Sequence, residues 1–158
     1  MPTSLLTAHL ELVPRTRDEV LASIAAMTAS DKGQLSPIWL ARLAASAAVD
    51  PWVHGYSLVR RDTATVVGSC GFKGPPADGI AEIAYGVSPE QRNRGYATEA
   101  ATALVTYAFE CAGVSIVRAH TLPNSVASQR VLEKCGFEHV GESMDAEDGL
   151  VWRFEKRK

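Results

Sequence analysis

The stretch YGVSPEQRNRGYATEAATAL, Tyr85 to Leu104, decides the fold. A β-like segment ends at Ser88-Pro89-Glu90, and a turn containing Gly95 leads into the strongest helical pattern of the chain. Ala97, Ala101, Leu104, Val105, Ala108 and Ala112 fall on one face of a helix predicted over residues 97–112, which Gly113 terminates. The first turn of a helix carries amides with no internal partner, and the aligned peptide dipoles make that end positive. A diphosphate fits there without needing any one side chain. Gly95 lets the backbone approach phosphate oxygens or take a positive φ. Ala97 is small for the same steric reason, Arg92 and Arg94 can add charge-assisted contacts, and Thr98 offers a hydroxyl. An ordinary glycine turn before an amphipathic helix has the same local pattern, so the flanking sequence must distinguish them. The turn matches neither GxGxxG nor GxxxxGK[ST], which disfavours the nucleotide folds built on those loops.

Upstream, residues 9–13 alternate as a strand that Pro14 ends. Asp18 and Glu19 open a helical pattern through Val20, Leu21, Ile24, Ala25 and Met27, broken at Asp31-Lys32-Gly33. Ser36 as N-cap and Pro37 at the first helical position start a second helix, which stops before Asp50-Pro51. Strands over 56–60 and 65–72 form a hairpin. Gly68 and Gly71 within it mark a bulge or a close backbone approach. A further strand covers 80–87. Downstream lie a strand at 115–119, a helix at 124–135 ended by Gly136, and strands at 137–141 and 149–154 joined by an acidic turn over 145–149. The order predicts an α+β fold with an α/β-type mixed sheet: about seven strands, mostly antiparallel with one parallel pair, and about four helices. No repeat or linker interrupts it, so residues 1–158 read as a single domain.

The chain is 46% hydrophobic and 22% charged, with a formal net charge of -2. That balance offers nothing for binding nucleic acid by bulk charge. Cys70, Cys111 and Cys135 sit among apolar neighbours without paired spacing. They read as small buried hydrophobes in a reducing cytoplasm, not as a disulfide framework or a metal site. No apolar run is long enough for a bilayer, and the N-terminus lacks a secretory pattern. The expectation is a cytoplasmic protein without membrane or nucleic-acid partners.

Arg92-Asn93-Arg94-Gly95-Tyr96-Ala97 resembles the Q/R-x-x-G-x-G/A signature of the GNAT superfamily of N-acetyltransferases. The continuation GYATEA and the downstream NSVASQRVLEKCGFEHVGE resemble the branch that includes N-terminal acetyltransferases of ribosomal proteins. VVGSCGF and AEIAYGV are similar to its third and fourth strands. The likeness runs from about Val66 to Glu142 and is weak over the first fifty residues, where the family forms much of its acceptor pocket. It implies a GNAT-like sheet whose parallel pair, 80–87 and 115–119, splays apart. It also implies acetyl-CoA as cosubstrate, with no metal. The pantetheine arm would pair with backbone near Gly86, Val87 and Ser88. The pyrophosphate would lie on amides from Arg92 through Asn93, Arg94, Gly95 and Tyr96 to Ala97, beside Thr98. Asn124, Ser128 and Arg130 match positions that contact the distal arm and thioester.

The implied chemistry is direct attack of a primary amine, of a protein N-terminus or a small molecule, in a ternary complex. Holding two reactants in place supplies roughly 7–11 kcal/mol. Neutralising a lysine-type amine at pH 7 costs about 4–5 kcal/mol, an α-amine only about 1 kcal/mol. Glu82 is the candidate base. It interrupts an apolar strand on the face of Ala84 and Gly86, and burial there would raise its pKa; a structural salt bridge is the competing reading. Ser128 is the candidate acid for the leaving thiolate, with Asn124 four residues earlier on the same helix face. No tyrosine lies between Asn124 and Phe137, which favours the serine. Helix capping by Asn124 and arm binding by Ser128 compete with that reading. His54 and His120 are further candidate bases, since free imidazole titrates near neutrality, but both read as packed or solvated. Tyr85 and Tyr107 read as core, Trp39 as packing the second helix, and Trp52 as a candidate for the acceptor pocket. A non-catalytic acyl-CoA-binding or interaction module on the same fold is the alternative. Edge strands are compatible with a homodimer.

Overall fold

The computed structural model describes residues 3–145 and 148–158. Part of the acidic turn expected over 145–149 thus lies outside the described residues. Eight strands form one sheet: β1 (Leu5–Leu6), β2 (Leu10–Pro14), β3 (Tyr56–Arg60), β4 (Val66–Phe72), β5 (Ile80–Val87), β6 (Ile116–Thr121), β7 (Glu138–Asp145) and β8 (Gly149–Arg157). They lie in the order β1-β2-β3-β4-β5-β6-β8-β7, and the β5–β6 pair is parallel while its neighbours are antiparallel. The helices are α1 (Arg17–Ala25), α2 (Ala29–Gly33), α3 (Pro37–Ala45), α4 (Pro51–His54), α5 (Tyr96–Glu110) and α6 (Val126–Lys134). None is long and apolar enough to cross a membrane.

The mixed sheet matches expectation; the extra elements have local causes. β1 is too short to show periodicity and is held by pairing Leu5 with Leu12. Asp31-Lys32-Gly33, read as a break, is itself helical because the Thr28 hydroxyl accepts the Asp31 amide at 3.1 Å and starts α2. Asp50-Pro51, read as a stop, is a start: the Asp50 carboxylate accepts the Trp52 amide at 3.0 Å, with Pro51 in the first turn of α4. α6 begins at Val126, so Asn124 precedes the helix and does not share its face with Ser128.

Both readings of the hairpin glycines apply. The β3–β4 register shifts between Leu58 and Val59. A Cβ on Gly71 would lie 2.7 Å from the Gly55 Cα, and one on Gly68 would overlap the Gly86 carbonyl. Alternation then divides the sheet. Ala81 and Ile83 of β5 with Val117 and Ala119 of β6 are buried with α5 residues Ala101, Leu104 and Ala108 and with Leu132 of α6. Glu82, Ala84 and Gly86 point to the opposite face. On α5 the buried residues include Tyr96 and Ala100, while Ala112 lies past the helix end and is exposed. A second cluster, Val20, Leu43 and Val53 with Ile24 and Trp39, ties α1, α3 and α4 together.

Candidate active site

Parallel pairing between β5 and β6 covers Ile80↔Ile116, Ala81↔Val117 and Glu82↔Arg118, then stops. β5 continues through residues 83–87 bonded to β4 alone, while β6 continues to Thr121 bonded to β8 alone. The strands therefore part in the middle of the sheet, and one edge of residues 83–87 lacks a strand partner. Backbone polar groups at such an edge demand an acceptor or donor from elsewhere, and an extended ligand can supply it. The space a Cβ on Gly86 would fill is open. The Ser88 backbone is already engaged: its amide donates to Val67 at 2.8 Å, and its carbonyl accepts from Gln91 at 2.9 Å.

A 3-10 turn, Pro89–Gln91, then leads to Gly95, the N-cap of α5, at φ 80°. Asn93 is also left-handed, at φ 64°. The first helical bond runs from the Glu99 amide to the Gly95 carbonyl at 3.1 Å, so the amides of Tyr96, Ala97 and Thr98 stay free. Nothing crowds a Cβ on Gly95; the turn needs glycine for its φ and for open approach. The Arg92 side chain turns back, Nε donating to the Val87 carbonyl at 3.4 Å, whereas Arg94 is exposed. Glu99, which would oppose an anion here, is tied to Thr7 Oγ1 at 2.6 Å, the His9 amide at 2.9 Å and His9 Nδ1 at 2.7 Å. Burial pushes its carboxyl up, but these donors together hold it below the ordinary value.

Glu82 stands where the strands begin to part. Its Oε2 lies 3.1 Å from His120 Nδ1 and 3.1 Å from Lys73 Nζ. His120 Nε2 lies 3.3 Å from Arg153 Nε, which can only donate. Nε2 is therefore the acceptor, and Nδ1 carries the proton that is donated to Glu82. Burial is the largest single effect on Glu82 and pushes its carboxyl up. The His120 N–H and the Lys73 ammonium together outweigh it, so the pKa is lowered. The expected rise does not occur, because the carboxylate is paired. Oε1 has no hydrogen-bond donor among the described residues. His120, read as packed or solvated, instead joins Glu82 to Arg153. A charge inside the apolar run of β8 was the one signal for Arg153; no spacing predicts that β6 sets His120 between them.

The Glu82–His120 pair opens into a cleft of about 680 Å³. Leu35, Ile38, Trp39 and Arg42 wall one side, and Met144 and Val151 of the β7–β8 hairpin the other. The cleft tryptophan is Trp39, its Nε1 donating to the Val53 carbonyl at 3.0 Å. Trp52 instead packs inward on Phe72 and Tyr107, ring centroids 4.2 and 5.6 Å away. Ser128 on α6 is half-buried, its hydroxyl without a hydrogen-bond partner among the described residues, while Asn124 and Arg130 are exposed. A tyrosine does reach α6, from β5: Tyr85 donates its hydroxyl to the Ser128 carbonyl at 3.3 Å, and burial pushes its phenol pKa up. His54 is structural. Its Nδ1 accepts the Asp50 amide at 2.9 Å and its Nε2 meets the Ser46 hydroxyl at 2.8 Å. Among the described residues no cluster of His, Cys, Asp and Glu could hold a metal ion.

A parted parallel pair followed by an anion-ready helix start defines a class of fold, and the family comparison agrees. Residues 8–138 match the acetyltransferase (GNAT) domain model, and the chain belongs to that family. It is 35% identical over 89 residues to YjdG, an uncharacterized N-acetyltransferase of Bacillus subtilis (strain 168), covering 56% of this chain and 51% of that protein. The chain thus spans about half the length of the relatives it matches. The same fold occurs in the ribosomal-protein-S5-alanine acetyltransferase from Vibrio fischeri, with TM-score 0.72, 12% identity and coverage of 99% of this chain and 97% of that one. It also occurs in RimL, a ribosomal L7/L12 alpha-N-protein acetyltransferase solved with coenzyme A, with TM-score 0.71, 13% identity and coverage of 98% and 97%.

Proposed function

We propose that this chain is a cytoplasmic enzyme that transfers the acetyl group of acetyl-CoA to a primary amine, of a protein N-terminus or a small molecule, by direct attack in a ternary complex. One observation carries the reading. The free amides at the start of α5 and the unpaired edge of β5, residues 83–87, follow one another back along the chain to Glu82, which lines the cleft.

The residues fit acetyl-CoA. The open space at Gly86 and Gly95 admits a ligand backbone and a phosphate, respectively. The amides of Tyr96, Ala97 and Thr98, with Arg94, suit the pyrophosphate. The edge near Gly86 and Val87 suits an extended amide-bearing arm. Arg92, Asn93, Asn124 and Arg130 border this path as exposed polar groups. Acetyl-CoA supplies an electrophilic thioester carbonyl and a thiolate leaving group.

Glu82, ionised and held by His120 and Lys73, binds the incoming ammonium through its free Oε1. A carboxyl held low cannot keep the amine's proton, so Glu82 passes it to water while orienting the nitrogen. For an α-amine that loss costs about 1 kcal/mol at pH 7, and positioning supplies far more. The nitrogen then forms its bond to the acyl carbon as the carbon–sulfur bond breaks. As the amide forms, the nitrogen's second proton leaves and, relayed through the Ser128 hydroxyl, reaches the departing sulfur. RimL, of the same fold, is solved with coenzyme A, which supports the cosubstrate, and the ribosomal-protein acetyltransferases of this fold support a protein α-amine among the acceptors.

The test is release of free thiol from acetyl-CoA with a panel of peptides and alkylamines. Amine-dependent release is expected. Binding of acetyl-CoA with no release on any amine would favour the non-catalytic module.

A further inference from the structure

Arg42 extends from α3 into the cleft that holds Glu82. Among the described residues it has no carboxylate partner. Its one polar contact is long, Nη1 to the Lys73 carbonyl at 3.4 Å. The cleft's other fixed cation, Lys73, is already bound to Glu82 at 3.1 Å. The guanidinium nevertheless has a defined seat, because a Cβ on Gly74 would overlap it. Ile38, four residues earlier on the same helix face, is 68% exposed and lines the same cleft, as does Met144 at 74%. The cleft lining thus carries both signs: the Arg42 guanidinium beside exposed apolar side chains, and the carboxylates of Glu82 and Asp145. Its complement is a molecule with both.

We infer that the acceptor is an amine that also carries a carboxylate. The ammonium sits at Glu82, the carboxylate pairs with Arg42, and a short apolar body lies against Ile38 and Trp39. Arg42 then sets specificity, since a guanidinium matches a carboxylate in a two-bond fork. The inference rests on the amine acetylation proposed above. The same pair of groups occurs in a free amino acid and at a peptide N-terminus followed by an acidic residue.

The experiment compares matched acceptors by thiol release: pentylamine with 5-aminopentanoate, and peptides with Asn against Asp at the second position. The wild-type protein should prefer the carboxylated member by about fivefold in kcat/KM, mainly through KM, the upper end for a solvent-exposed ion pair. Added salt should shrink the preference. Arg42→Gln should bring the ratio close to one, and Arg42→Lys should restore part of it. The pair with the larger ratio tells whether the source is a free amino acid or a peptide. Amine acetylation with equal rates, or a preference that survives Arg42→Gln, overturns the inference alone. No thiol release with any amine overturns the acetyltransferase reading and this inference with it.

Discussion

Glu82 Oε2 on β5 lies 3.1 Å from His120 Nδ1 on β6, two residues beyond Arg118, the last register partner of β5. Side chains thus bridge the sheet where its backbone pairing has just stopped. The bridge keeps the carboxylate charged where it lines the cleft. In the proposed reaction Glu82 therefore holds and orients an ammonium and does not store its proton.

Glu82→Gln should therefore lower kcat/KM for an alkylamine about a hundredfold while leaving acetyl-CoA affinity, measured by calorimetry, largely intact. The wild-type pH profile follows from the same lowered pKa. Glu82 is ionised throughout the neutral range, so kcat/KM should climb with the acceptor's own pKa, about 8 for a peptide α-amine and about 10.4 for a lysine-type amine. A rise at one fixed pH for every acceptor would point instead to a titrating enzyme group.

His120→Ala removes one of the two donors that hold Glu82 down and leaves burial, which pushes it up. The carboxyl should move to higher pKa. The acidic limb of the rate profile should shift upward in pH, and carboxyl NMR should follow the same titration. An unmoved limb would mean that Lys73 alone sets the charge.

Gly95 separates conformational from steric need. Its φ of 80° suits Asn better than Ala, and no protein atom crowds a Cβ there. Gly95→Asn should melt near the wild-type temperature, and Gly95→Ala should lose about 1 kcal/mol of stability. Gly95→Asp should fold yet bind acetyl-CoA poorly, since bulk and negative charge meet the phosphates together. Unchanged affinity in Gly95→Asp would place the phosphates elsewhere.

His54 makes stability depend on pH. Burial holds its pKa below the ordinary value, so the unfolded chain takes up a proton first as pH falls. The neutral ring's contribution is complete above about 6.5, the unfolded value, and is lost as pH falls through the lower folded pKa. Melting temperature should drop between pH 7.5 and 5.5. His54→Gln should flatten that slope and cost about 1–3 kcal/mol at pH 7.5 by taking the acceptor from the Asp50 amide.

Much of the fold was legible in local pattern. The Ala-rich period of α5, the alternation of β5 and the hairpin glycines each depend on neighbours within a few residues, and each is found in the structure. Asp50-Pro51 and Asp31-Lys32-Gly33 were misread because the same residues end one helix or begin another. Which they do depends on the amide that the Asp50 or Thr28 oxygen reaches. The first fifty residues supply Trp39 and Arg42 to the cleft, and their roles could not be read, since no spacing says which helix face meets the sheet.

By itself, then, the sequence determined the family, the strand–turn–helix around Gly95 and the position of Glu82 on an otherwise apolar strand. Those properties are encoded in short-range sterics and periodicity. Only the tertiary structure decided that pairing stops at Glu82, that His120 and Lys73 hold it charged, and that Arg42 lines the same cleft with no carboxylate partner among the described residues. Each of those is a meeting of strands and helices far apart in the chain. A carboxylate's pKa answers to the charges that folding sets around it and not to the residues beside it in sequence.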